Sequence, residues 1–206
     1  MSEHYFTSAP NVKSEQHKWT FTLRGFTFTF YTDAGVFSKK EVDFGSRALI
    51  EAFEAPDVGG NILDIGCGYG PITLAFAKSF PDREMVGVDV NQRALALAAK
   101  NAVENKITNV AFAESNITDA VKEERFAAVV TNPPIRAGKK VVYAMFREAY
   151  DVLKENGELW IVIQKKQGAP SAKKELESLF SEVTTVKKEK GYYIIRAKKF
   201  DATSSI

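Results

Sequence analysis

Two short stretches hold residue types from which a reaction could be built: Asn132-Pro133-Pro134-Ile135 and Asp64-Ile65-Gly66-Cys67-Gly68-Tyr69-Gly70. In the first, two prolines fix the backbone and bar helix at the residue before each. The Asn132 side-chain oxygen and the Pro133 carbonyl are then held in place, and both can accept from one NH2 group. An exocyclic ring amine is a poor nucleophile because its lone pair is delocalised. Two acceptors aimed at its hydrogens favour a more tetrahedral nitrogen and stabilise positive charge that develops there. Pro134 stiffens the turn. Ile135 offers an aliphatic surface to a flat ring, without aromatic stacking. This chemistry needs no metal, carboxylate dyad or histidine base, and His4 and His17 read as surface or arm residues.

The second stretch reads as a cofactor loop. Glycines at 66, 68 and 70 permit unusual backbone angles and let a ligand approach closely. Pro71 suits the first turn of a following helix. The dinucleotide fingerprint G-x-G-x-x-G/A fails here, since Pro71 stands at its sixth position. Asp64, beside the first glycine, would repel a pyrophosphate and suit a cationic ligand. S-adenosylmethionine (AdoMet) carries an ammonium and a sulfonium, which makes Asp64, Gly66, Cys67, Gly68 and Gly70 its candidate loop. Asp89 ends the next apolar run, and Asp89 with Val90 forms the second candidate cofactor position. A carboxylate there can accept both ribose hydroxyls, of AdoMet or equally of NAD. It can also cap the next helix, a role for which Asn91 competes. Cys67 lacks an evident base and reads as loop packing. The chemistry that joins the two stretches is in-line attack of an amine nitrogen on the AdoMet methyl, with positioning supplying much of the rate.

The elements that must position these residues are legible in the hydrophobic pattern. Lys18–Arg24 and Phe26–Tyr31 alternate around Arg24-Gly25, which predicts a hairpin. Phe44–Phe53 has helical spacing. Apolar runs at Ile62–Ile65, Met85–Val88, Val110–Ala113, Ala127–Thr131 and Leu159–Ile163 predict strands, most of them uninterrupted runs of the kind that helices cover on both faces. Helices fit Ile72–Phe80, Gln92–Glu104, Lys139–Leu153 and Ala172–Phe180. Val183–Lys188 and Gly191–Lys198 read as a final antiparallel hairpin. Repeated βα units give a doubly wound α/β sheet, mostly parallel and seven-stranded. The expected organisation is an arm and hairpin over residues 1–40 packed on the core, a main domain over 41–200, and a tail over 201–206.

Composition sets bounds. The 206 residues, 45% hydrophobic and 26% charged, suit one sizeable globular domain with an appendage. A single cysteine excludes an internal disulfide. No long uncharged apolar stretch or secretion signal is present, so a cytoplasmic location without a membrane is expected. Residues 1–119 carry 11 Lys/Arg against 15 Asp/Glu, whereas residues 120–206 carry 17 against 11. The basic residues of the second part come in pairs, such as Lys139-Lys140 and Lys165-Lys166. They fit either solvated helix ends and strand edges or a face for phosphate backbones.

The strand order with its closing hairpin resembles class I methyltransferases. That resemblance implies that Asn116 meets the adenine amine and Ile117 covers its ring; a turn-forming asparagine is the alternative at 116. Gly35-Val36-Phe37-Ser38, Val42-Asp43-Phe44-Gly45-Ser46, the run Ile135-Arg136-Ala137-Gly138-Lys139 after Asn132, and Gln164-Lys165-Lys166-Gln167-Gly168-Ala169 extend it. Together these are similar to the RsmC-like ribosomal RNA guanine-N2 methyltransferases, in a short single-domain form, from His4 to Lys199. The family implies AdoMet as cofactor, S-adenosylhomocysteine as product, and ribosomal RNA or a ribosomal subunit precursor as partner. It also implies that Gly35–Lys39 lies over the cofactor pocket, with Phe37 a candidate aromatic supplement to Ile135. Arg136, Lys139, Lys165 and Lys166 are the candidate RNA contacts. The base must be flipped out or already unpaired, which favours RNA loops. A glutamine-amide or adenine methyltransferase, and a catalytically silent RNA-binding module, remain alternatives.

Overall fold

A computed structural model of the chain describes residues 11–36 and 40–200. Phe37, the first ten residues of the expected arm, and the tail 201–206 lie outside the described residues. The chain opens with β1 (His17–Leu23) and β2 (Phe26–Thr32), an antiparallel pair pairing Leu23 with Phe26. Its turn sits at Arg24 and Gly25, with φ of 50° and 79°. Two successive positive φ angles match the right-handed twist of flanking strands. Arg24 is stabilised there because its guanidinium donates to the Ile50 and Phe53 carbonyls.

The main body follows as α1 (Phe44–Ala52), β3 (Ile62–Ile65), α2 (Pro71–Ser79), β4 (Met85–Asp89), α3 (Gln92–Glu104), β5 (Val110–Glu114), β6 (Phe126–Thr131), α4 (Lys139–Val152), β7 (Leu153–Gln164), α5 (Ala169–Leu179), β8 (Glu182–Glu189) and β9 (Tyr192–Lys198). Seven strands form one sheet in the order β5-β4-β3-β6-β7-β9-β8. β9 runs antiparallel to both neighbours, and the remaining pairs are parallel. The expected sheet and closing hairpin are both present.

Two apolar layers cover the sheet. On one face Ile62, Met85, Val130, Trp160 and Ile194 meet α1, α2, α3 and the hairpin residues Leu23, Phe28 and Phe30. On the other, Leu63, Val129, Ile161 and Ile195 meet α4 and α5. Every residue of β3 and β6 is buried, as the uninterrupted apolar runs require. The hairpin is tied down by polar groups as well. Asn105 exchanges two hydrogen bonds with the Thr29 backbone and Asn101 two with that of Tyr31, so α3 supplies β2 with partners where a further strand would stand. Among the described residues, no helix is long and apolar enough to cross a membrane.

Two boundaries differ from the sequence reading by more than one residue. β7 begins at Leu153 rather than Leu159, directly after α4. The polar run Lys154-Glu155-Asn156-Gly157 hides this segment from a hydrophobic pattern. Asn156 takes a φ of 60°, its N–H donates to the Lys199 carbonyl, and the register against β6 shifts between Phe126 and Ala128. α5 begins at Ala169 rather than Ala172, because Pro170 occupies its first turn and Gly168, at φ 106°, lets the chain enter it.

Candidate active site

β3 and β6 are adjacent, yet the chain leaves β3 toward β4 on one side and leaves β6 toward β7 on the other. This is the point where strand order reverses, and ligands in open α/β sheets bind beyond the strand ends there. The loop 66–70 leaves β3 and Asn132 leaves β6, so the two stretches flank one crevice.

The loop is built by its glycines. Gly66, Gly68 and Gly70 have φ of 75°, 57° and 96°. A Cβ at Gly66 or Gly68 would meet nothing within 4 Å, so open space faces the loop. The loop is held from behind: Gly66 and Cys67 both donate to the Val88 carbonyl, and Asn101 Nδ2 donates to the Tyr69 carbonyl at 2.9 Å. Gly87 of β4 is a further requirement that the motif does not display. A Cβ there would lie 2.8 Å from the Phe112 ring and 3.1 Å from Cys67 Cβ. Cys67 is buried; burial, with the Asp64 and Asp89 carboxylates, pushes its thiol up and makes it inert packing.

Asp64, one residue before the end of β3, is fully buried. Thr73 Oγ1 donates to its Oδ2 at 2.6 Å, while Oδ1 is buried without a partner. Burial raises its pKa to about 7; the Thr73 hydroxyl opposes that and the Asp89 carboxylate adds to it. Asp89, at the tip of β4, accepts from Gly68 N–H at 2.8 Å and Asn91 N–H at 2.9 Å. Each carboxylate oxygen keeps a further lone pair for a hydroxyl. Burial shifts its pKa upward too, against those backbone bonds. Asn91 caps α3 by accepting from Ala94 N–H, so Asp89 is not the cap. Val90 is half-buried next to it. Asn116 is exposed. Ile117 takes a φ of 51°, an outlying conformation for a β-branched residue, with its carbonyl bonded by Ser115 Oγ. The described chain beside Phe37 is anchored at the start of α3: Asn91 donates to the Gly35 carbonyl and Arg93 to that of Ala34.

Across the crevice, Asn132 Nδ2 donates to Asp43 Oδ2 and to Ser46 Oγ, each at 3.1 Å. Both amide hydrogens are used, which leaves Oδ1 as the acceptor. The Pro133 carbonyl already accepts from Ile135 N–H at 2.9 Å, so one lone pair remains rather than two. Pro134 leads into a 3-10 turn at Ile135–Ala137. Ile135 packs against the α4/α5 layer, the face opposite α1. On the α1 face an aromatic pair stands near Asp43. Phe44 and Tyr192 have ring centroids 5.3 Å apart, and a Cβ on Gly45 would approach Tyr192 within 3.0 Å. Sequence reasoning placed Phe44 on a helix and Tyr192 on a strand. Their meeting depends on β9 inserting beside β7, where Tyr192 pairs with Gln164.

Lys165 and Lys166 line a cleft of about 500 Å³ with Gln164, Pro170, Lys190 and Gly191. Arg136 and Lys139 are exposed at the turn after β6 and at the start of α4. Lys190, at the β8–β9 turn, was not a candidate because no motif marks it.

The residues present fit AdoMet. A buried orphan carboxylate oxygen calls for a positively charged donor, Asp89 retains acceptor capacity for a ribose, and the glycine cradle faces open space. Comparison with known proteins agrees. A 59% identical relative, covering 97% of this chain and all of its own length, is the uncharacterized protein YbxB of Bacillus subtilis. The ribosomal RNA small subunit methyltransferase C of Photorhabdus laumondii is 33% identical over 155 residues, which is 73% of this chain and 45% of that one. Among solved structures, the T. thermophilus 16S rRNA N2 G1207 methyltransferase (RsmC) in complex with AdoMet and guanosine superposes with a TM-score of 0.81 at 28% identity. It covers 92% of this chain, which spans 52% of that one, so the chain is about half as long as the ribosomal RNA methyltransferases it resembles. The family model for the methyltransferase small domain matches residues 27–196, and the chain belongs to that family, whose cofactor is S-adenosylmethionine.

Proposed function

We propose that this chain transfers a methyl group from AdoMet to an exocyclic amine of a nucleobase in RNA, with guanine N2 of ribosomal RNA as the acceptor. One observation carries the reading. Asn132 has its amide nitrogen tied to Asp43 and Ser46, which turns its oxygen into a fixed acceptor across the crevice from the glycine loop. When bound, the cofactor supplies an electrophilic methyl on a positively charged sulfur. The chain's own residues hold and orient. Asp64 Oδ1 would receive the ammonium, Asp89 the ribose hydroxyls, and Asn116 with Ile117 the adenine. Asn132 Oδ1 and the free lone pair of the Pro133 carbonyl would take the two hydrogens of the acceptor NH2. That pulls electron density toward nitrogen and stabilises charge that develops on it. The proton then leaves to water, so no side-chain base is required.

The RNA reading is supported by the names of the relatives and by the cleft beside β7. Lys165, Lys166 and Lys190 present three cations to one cavity near the Phe44–Tyr192 pair. Such a surface attracts a phosphate backbone while a splayed base reaches the crevice.

The test is incubation with methyl-labelled AdoMet and either ribosomal RNA or release factors. Label in N2-methylguanosine is the expected result. Label in a protein glutamine, with none in RNA, would replace this reading with an amide methyltransferase. AdoMet binding with no transfer to any RNA would leave a silent binding module.

A further inference from the structure

We infer that Asp43 and Ser46 are positioning residues that lock the Asn132 amide with its oxygen toward the acceptor. The inference rests on the proposed role of Asn132 and adds two residues from a different element. It follows from hydrogen-bond chemistry. An ionised carboxylate only accepts, so the Asn132 atom 3.1 Å from Asp43 Oδ2 must be the nitrogen, whichever way the amide is drawn. Ser46 Oγ takes the second hydrogen at the same distance. A flipped amide would set oxygen against carboxylate and point NH2 at the substrate's NH2, two donors facing each other.

The clamp is rigid because it is part of a helix start. Asp43 is the N-cap of α1, and the oxygen that receives Asn132 also accepts Ser46 N–H at 3.0 Å. Ser46 is buried in the first turn. Strand alternation explains why α1 is the element used. Val130 faces the α1 layer and Val129 the opposite one, so Asn132, two residues beyond Val130, faces α1 as well. Gly45 fits the same design, since a Cβ there would crowd the Tyr192 ring at 3.0 Å and the Asp43 carboxylate at 3.3 Å.

The experiment combines Ser46→Ala and Asp43→Ser, each alone and on an Asn132→Ala background. Ser46→Ala leaves the cap intact. Asp43→Ser keeps a good N-cap side chain but does not reach Asn132. Nitrogen-15 spectra of the full chain report hydrogen exchange of the Asn132 side-chain amide. Turnover is read with labelled AdoMet and ribosomal RNA from cells lacking this chain. The expected result is slow amide exchange in the parent, at least tenfold faster in either single variant. kcat should fall about tenfold to a hundredfold with unchanged AdoMet affinity and thermal midpoint, since misplacing a positioned group by about 1 Å costs that much. On the Asn132→Ala background neither substitution should lower transfer further. Equal amide exchange in parent and Ser46→Ala overturns the clamp, whether or not the chain methylates RNA. A further tenfold loss from Asp43→Ser on the Asn132→Ala background also overturns it, because Asp43 then acts by another route. Protected amide protons together with full-rate transfer by Asn132→Ala would support the clamp as geometry and defeat the catalytic reading of Asn132.

Discussion

Asp64→Asn should make the ligand-free protein more stable at pH 8 and bind AdoMet less well. Asp64 is fully buried with a pKa of about 7 against the ordinary 3.8. Between those values the folded chain holds a proton that the unfolded chain has released. Stability therefore falls as pH rises through that window and levels off above it. At about 1.4 kcal/mol per pH unit the gap amounts to at most about 4 kcal/mol. Asparagine never ionises, so this penalty disappears. Against it stands the burial of an unpaired amide NH2 where Oδ1 now lies, at about 1 kcal/mol. The net expectation is a gain of about 3 kcal/mol at pH 8 and little change at pH 5, read from urea denaturation of parent and variant at both pH values. The reasoning fails if the variant is no more stable at pH 8, or if the two proteins differ equally at pH 5 and pH 8. The same charge is what an ammonium would seek at the orphan Oδ1, so calorimetry should show weaker AdoMet binding by the stabilised variant.

Further expectations follow from neighbouring groups. Asp89→Ala should weaken AdoMet at least tenfold by calorimetry without unfolding the chain, since it removes ribose acceptors and frees Gly68 N–H; unchanged affinity would take Asp89 out of the site. Gly87→Ala should cost about 1–3 kcal/mol by urea denaturation, because its Cβ would lie 2.8 Å from the Phe112 ring; a neutral effect would contradict that close approach. Replacing Lys165, Lys166 and Lys190 together by alanine should reduce the slope of log affinity for single-stranded RNA against log salt by about 2. An unaltered slope would place the RNA elsewhere.

The parts of the fold that could be read from the sequence were those set by local pattern. The buried runs at Ile62–Ile65 and Ala127–Thr131 predict their strands because helices cover both faces. The loop after β3 and the turn after β6 then follow from position, which is why Gly66–Gly70 and Asn132 emerged as partners. The polar start of β7 was not legible, since Lys154–Gly157 is held by backbone bonds to distant Lys199 rather than by an apolar face. Asp43 and Ser46 were visible as a motif but not in their role, which depends on α1 crossing to the tip of β6, 89 and 86 residues later. Ile135 packs on the side of α4 and α5, while Phe44 and Tyr192, far apart in sequence, meet on the α1 side. Lys190 went unnoticed because a lone basic residue in a turn acquires meaning only when the β8–β9 turn brings it beside Lys165 and Lys166.

The most direct measurement is mass mapping of methylated nucleosides in ribosomal RNA from cells lacking this chain, complemented with either the parent or Asn132→Ala. One guanosine should lose its N2-methyl group in the deficient cells and regain it with the parent only. Full restoration by Asn132→Ala, or ribosomal RNA with identical modifications in all cells, would contradict an amide oxygen at the tip of β6 as the group that readies the acceptor amine.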